Sequence, residues 1–213
     1  MRHLLKVFPW ITVGVLSVVL ASGCSPPPPP SAETAALESS LLSLSDVDGG
    51  FEEEFRGQVG VSGDGLCPDS DFVFEDVGAV RVAFVWPTGD DEQVELVEML
   101  HVVESGGTAV LMGELEAALE SCDGVEWTDY GETKSLTVMA VPEIGDNSLA
   151  ARSPANPPSE GSFDYGRRIY VAQRDIFVEI TIWESLEGAG DAPAVSDEEM
   201  YRITATAVSK LPN

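Results

Sequence analysis

Side-chain catalysis needs a nucleophile, a base or a metal ligand in workable combination. This 213-residue chain is poor in the rarer ones, with three cysteines and two histidines. His3 falls in a stretch read below as a signal peptide, which leaves His101 as the histidine able to act as a base. Its neighbours Leu100, Val102 and Val103 are the surroundings of a core or interface residue rather than of a proton shuttle. No Gly-x-Ser-x-Gly, Ser-x-x-Lys, His-Glu-x-x-His or phosphate-cradling glycine loop occurs. Carboxylates are abundant, 37 in all, so a facing pair acting on envelope glycans is the enzymatic alternative. No pair stands out by spacing. Asp64, Asp69, Asp71, Glu75 and Asp76 gather in and after one loop and offer oxygen donors for Ca²⁺, but without EF-hand spacing. Trp86, Trp127, Tyr130 and Trp183 have the rings to line a sugar- or lipid-binding groove, although strand tryptophans more often fill a core. The expectation is a binding protein with no catalytic residue, no metal and no cofactor.

The cysteines do other work. Arg2, His3 and Lys6 precede an uncharged, mostly apolar run from Val7 to Leu20, and small residues then lead to Cys24. The run has the length of a signal-peptide core and is short for a spanning helix, which needs about 20 apolar residues. "LASGC" resembles the bacterial lipobox, cut before a cysteine whose sulfur carries diacylglycerol, so Cys24 is the expected lipidation site. Pro26 to Pro30 favour polyproline II, a stiff spacer between bilayer and domain. The expected organisation is a signal peptide over 1–23, a lipidated Pro-rich linker over 24–36 and one extracytoplasmic domain over 37–213. Cys67 and Cys122 remain, an even pair in an oxidising compartment, and are expected to form a disulfide.

Composition narrows the partners. Without the first 23 residues the chain holds nine basic residues against 37 acidic ones. Such an excess of negative charge repels nucleic acid and keeps the domain from lying flat on an anionic membrane. The expected contacts are the membrane through the lipid anchor, and an unidentified small ligand or envelope protein.

These residues need elements to hold them. "AVRVAFVW" (79–86) has the β-branched content of a strand, and 93–103 reads as a second one. "TAVLMGELEAALESC" (108–122) places Leu111, Leu115, Ala118, Leu119 and Cys122 on one helical face. Strands are expected over 135–142 and 148–154, and a hairpin over 167–185 turning near Arg174-Asp175. Ser196 and Glu199 form a capping box that opens a last helix with Met200, Ile203, Ala207, Val208 and Leu211 as its buried stripe. The fold class is therefore α+β, an antiparallel sheet with a central and a C-terminal helix packed on it and one disulfide.

The order of several short motifs resembles a family. These are "LLSLSDVDGGF", a Cys-Pro in the first third, a helix ending in the second cysteine, "EIGDNSLAAR", the "YVAQRDIFVEI" hairpin and a final helix. Together, over roughly 40–211, they are similar to the PknH-like sensor domains of actinobacteria, found outside receptor serine/threonine kinases and as free lipoproteins. Gly145, Asp146 and Arg152 fit that family's GD-x-S-x-x-x-R-like segment, read here as turn geometry with an adjoining strand. The resemblance implies an α+β domain with a cleft for a small ligand and no catalysis. It departs in one respect: the kinase-linked domains are expected to carry two disulfides, and this chain can form one.

Overall fold

The computed structural model describes residues 32–47, 49–60, 66–68, 70, 72, 79–87, 93–129, 132–154, 163–186 and 193–212. Seven strands form one antiparallel sheet: β1 (Glu52–Val59), β2 (Ala79–Pro87), β3 (Gln93–Val102), β6 (Thr137–Met139), β7 (Asn147–Pro154), β8 (Phe163–Gln173) and β9 (Ile176–Leu186). Their order across the sheet is β1-β2-β3-β9-β8-β7-β6. A separate hairpin pairs β4 (Glu126–Asp129) with β5 (Glu132–Ser135). The helices are α1 (Ala32–Glu38), α2 (Gly107–Cys122) and α3 (Asp197–Ser209). The expected α+β class, its antiparallel sheet and its central and terminal helices are all present.

The two longer helices occupy opposite faces of the sheet. On one face α1, the segment after it and α3 bury Leu37, Leu41, Leu42, Met200, Ile203 and Ala207 against Val82, Phe84, Leu96, Val178 and Ile180. On the other, α2 buries Met112, Leu115, Leu119 and Cys122 against Tyr170, Ala172 and Phe177. Strand β9 lies at the centre, so both of its faces are covered. Val178, Ile180 and Ile182 enter one core while Phe177, Glu179 and Thr181 are buried on the other face. Each large apolar side chain so buried contributes about 1.5–3 kcal/mol.

Local chemistry sets the ends of the elements. Ser196 accepts a hydrogen bond from the Glu199 amide at 3.1 Å and starts α3, with Asp197, Glu198 and Glu199 in the favoured first turn. Helix α2 has no such cap. Its N-terminus is held by the β8–β9 turn, where Asp175 Oδ1 accepts from the Gly106 amide and the Arg174 carbonyl accepts from Thr108 Oγ1. Arg174 takes a positive φ of 56°, and Asp146 Oδ2 accepts its amide at 2.6 Å. Gly145 beside it has φ 65°, and a Cβ there would stand 2.7 Å from the Ala172 carbonyl oxygen. The Gly-Asp of the family-like segment thus secures a turn, as expected.

Three features differ from the sequence reading. The first helix begins at Ala32, inside the stretch read as linker, because Ala-Glu-Thr-Ala-Ala-Leu-Glu has strong helix formers and Leu37 finds a core to enter. Strand β1 has three consecutive glutamates and an exposed outer edge, so it lacks the apolar pattern that marks a strand. The expected strand over 135–142 is divided between the ends of β5 and the short β6.

Candidate functional site

The face of the sheet that carries α2 changes character along the strands, away from the β8–β9 turn that holds the start of the helix. In successive rungs across β2, β3, β9 and β8 the side chains on this face are Ala79, His101, Phe177 and Ala172, then Arg81, Met99, Glu179 and Tyr170. The next rungs are Ala83, Val97, Thr181 and Arg168, and then Val85, Glu95, Trp183 and Gly166. The first rung is apolar core. From the second onward, polar and aromatic groups gather on four neighbouring strands.

Glu179 is at the centre of this patch. It is buried, and Thr181 Oγ1 donates to its Oε1 at 3.1 Å. Burial pushes its carboxyl up from the ordinary range, with Arg168, the Thr181 hydroxyl and Arg81 pulling the other way. Burial also pushes the Tyr170 phenol up to about 12, so it stays a neutral hydroxyl at any physiological pH. Arg81 donates to Glu95 at 3.0 Å, and both side chains remain about one-third exposed. The Arg168 guanidinium stands 5.5 Å from the Trp183 ring centre, a cation–π distance.

Gly166 explains the position of that ring. A Cβ built on it would lie 2.3 Å from Trp183 Cζ3, so the indole lies across the bare backbone of the adjacent strand. Trp183 is thereby a half-buried platform rather than a core plug. The arrangement offers an aromatic surface, two guanidinium groups and a sheltered carboxyl, which suits recognition of a polar ligand with a flat face.

The two carboxyls of this face have different partners. Glu95 and Glu179 share this face, but Glu95 is four residues from Met99, the register partner of Glu179. Their backbones are therefore roughly 13 Å apart along the strands, and the hydrogen-bond partner of Glu179 is the Thr181 hydroxyl. Arg81 also holds Glu95 in an ion pair. His101 is buried, its ring 5.8 Å from that of Phe177, and burial lowers it to about 4. It is a neutral core residue, as its neighbours in the sequence indicated.

The other predicted residues fall as follows. Cys67 and Cys122 are joined, with Cα atoms 6.0 Å apart, and tie the segment after β1 to the end of α2. Cys24, the acidic positions Asp64, Asp69, Asp71, Glu75 and Asp76, and Tyr130 lie outside the described residues. Among the described residues no group of three or more metal-ligating side chains occurs. Trp86 packs on Gly49, Gly50 and Phe51 and belongs to the core below α1 and α3. Trp127 packs beside α2. Arg152 is exposed on β7.

Sequence reasoning passed over Arg81, Glu95, Arg168, Glu179 and Thr181. One signal was present: in "IFVEITIW" a charged residue interrupts a strand otherwise fit for a central position, where burial is costly without a purpose.

No protein-family model matches the chain, and no curated protein is significantly similar to it. Solved structures are. The extracellular domain of PknH from Mycobacterium tuberculosis aligns with a TM-score of 0.57 at 13% identity, over 83% of this chain and 95% of that one. The Rv0999 ortholog from Mycobacterium smegmatis aligns with a TM-score of 0.50 at 13% identity, over 82% of this chain and 95% of that one. The chain thus has a PknH-like extracellular-domain fold, and the likeness is one of fold.

Proposed function

We propose that this chain is a lipid-anchored, extracytoplasmic binding module of the sensor type, which recognises a polar envelope ligand or partner and does no chemistry on it. The observation that carries the reading is the patch on the sheet face beyond α2. There Trp183 lies over Gly166 and Glu179 is sheltered between Arg168 and Arg81. The PknH-like fold supports it, since the structure it resembles is an extracellular domain. Lipidation of Cys24 and the proline spacer would hold the domain at the membrane's outer face, and among the described residues no helix is long and apolar enough to cross one.

The test is a thermal-shift and tryptophan-fluorescence screen against soluble envelope glycan fragments and lipid headgroup analogues. A ligand bound by the native state alone raises the melting temperature by mass action. A hit should be lost in Trp183→Ala and weakened in Arg168→Gln, with the fold retained by circular dichroism. Turnover of a glycan fragment, abolished by Glu95→Gln or Glu179→Gln, would overturn the non-catalytic reading.

A further inference from the structure

The opposite face of the sheet holds a second buried carboxyl, in a place no binding patch explains. Glu98 on β3 is completely inaccessible to solvent, with Val82 and Ile180 as its register partners and Leu96 and Leu100 flanking it on its own strand. One oxygen, Oε2, accepts the backbone amide of Leu42 at 2.6 Å. The other, Oε1, has no hydrogen-bond partner among the described residues. The contact joins the middle of the sheet to the segment through which the chain enters the domain from its N-terminal side.

That segment is fastened by a small set of groups. Leu37, Leu41, Leu42 and Val47 are buried in the core of this face. The Leu42 carbonyl accepts from Arg56 of β1, which is itself paired with Glu53. Asp46 accepts from the Ser43 amide at 2.7 Å and pairs with Lys210 at the end of α3 at 2.5 Å, and Arg202 of α3 reaches the Asp46 carbonyl. The charges facing Glu98 are therefore Arg56 from β1, Lys210 from the end of α3 and Asp46 from the segment. Its register partners on β2 and β9 are the apolar Val82 and Ile180, and the further charges on this face, Glu184 of β9 and Arg167 of β8, are paired with each other, Glu184 lying four residues along β9 from Ile180.

We propose that Glu98 is a proton-operated latch, which keeps residues 37–47 docked on the sheet while its carboxyl is neutral and loosens them when it ionises. A carboxylate confined among Leu, Val and Ile with a single donor is poorly solvated, and undocking the segment would open it to water. Burial pushes Glu98 up to about 7, against the Leu42 amide, Lys210 and Arg56. Asp46, though burial works against it, is held down to about 2 by Lys210 and Ser43 and stays charged throughout. The switch thus belongs to one group, and it acts near neutrality on the stretch next to the anchor.

Hydrogen–deuterium exchange on the detergent-solubilised full-length protein tests it, after correction for the intrinsic pH dependence of amide exchange. Protection of 37–47 should fall roughly 10- to 100-fold between pH 5 and pH 8, in excess of any change in the β9 peptide 176–186. Glu98→Gln, which keeps an acceptor for the Leu42 amide and cannot ionise, should flatten that dependence. Protection of 37–47 that moves by less than about threefold, or in step with β9, overturns the latch in the wild-type protein alone. An unchanged pH profile in Glu98→Gln overturns it as well.

Discussion

Glu98 and Glu179 sit on adjacent hydrogen-bonded strands one residue out of step, because Glu98 pairs with Ile180 and Met99 pairs with Glu179. Successive side chains leave a strand on opposite faces, so these two buried carboxyls point away from each other through the sheet. One belongs to the patch beyond α2 and the other to the docking of residues 37–47. The two central strands thus carry a titratable group on each side. The patch and the docked chain entry share one pair of hydrogen-bonded strands.

Stability should respond to pH through Glu98 in a defined direction. Its folded-state pKa of about 7 lies above the ordinary 4.5, so its contribution is fully present below 4.5 and is lost as pH rises through 7. Glu98→Gln should therefore be near neutral at pH 5 and stabilising by about 1–3 kcal/mol at pH 8. Melting curves of both proteins across that range check it, and a constant difference would contradict it.

His101 works in the opposite sense. Burial lowers it to about 4 from 6.5, so the stability it contributes is present above 6.5 and is lost as pH falls through 4. His101→Gln should reduce the loss of melting temperature between pH 6.5 and pH 4 relative to wild type. It should leave any ligand-dependent rise in melting temperature intact, because the ring is buried against Phe177.

The disulfide closes a separation of 55 residues and ties the end of α2 to the segment that holds Cys67. In the chain-entropy model such a link stabilises by about 4 kcal/mol. Cys67→Ser or Cys122→Ser should each lower the melting temperature by several degrees or more, and non-reducing peptide mapping should recover the joined pair. Equal melting of native and reduced protein would show that the link contributes nothing.

Arg167 and Glu184 form a fully buried ion pair, and Arg167 also reaches Asp197 and the Val195 carbonyl. This network holds the chain into α3. Glu184→Gln leaves a guanidinium buried with only partial compensation from Asp197, and should cost about 3 kcal/mol in urea unfolding. Asp197→Asn, whose carboxylate is half-exposed, should cost less than about 1 kcal/mol.

Anchoring should depend on one sulfur. Cys24→Ala should abolish metabolic labelling with a fatty-acid analogue and release the protein from the membrane fraction or leave the precursor uncut. An intact wild-type N-terminus without acylation, seen by mass spectrometry, would rule out the anchor.

The sequence alone was enough for the class of the fold, the helix from 108 to 122, the cap of the last helix, the β8–β9 turn and the pairing of Cys67 with Cys122. Each of these rests on a local or compositional signal: apolar periodicity, a Ser-x-x-Glu box, a polar pair between two apolar runs, two cysteines in the stretch expected to fold as one domain. The character of His101 was legible for the same reason, from three apolar neighbours. What only the tertiary structure decided was which strands are neighbours and which face each helix covers. Arg81, Glu95, Arg168, Glu179 and Trp183 lie up to about a hundred positions apart and meet only because β2, β3, β9 and β8 pair in that order. Alternation along a strand says that Glu98 and Met99 face opposite ways; it does not say that α3 lies on one side and α2 on the other. That choice is made by non-local burial, which sets where Leu37, Leu41 and Met112 find cover, and it places one buried glutamate beside Thr181 on the face that carries α2 and the other against the entering chain.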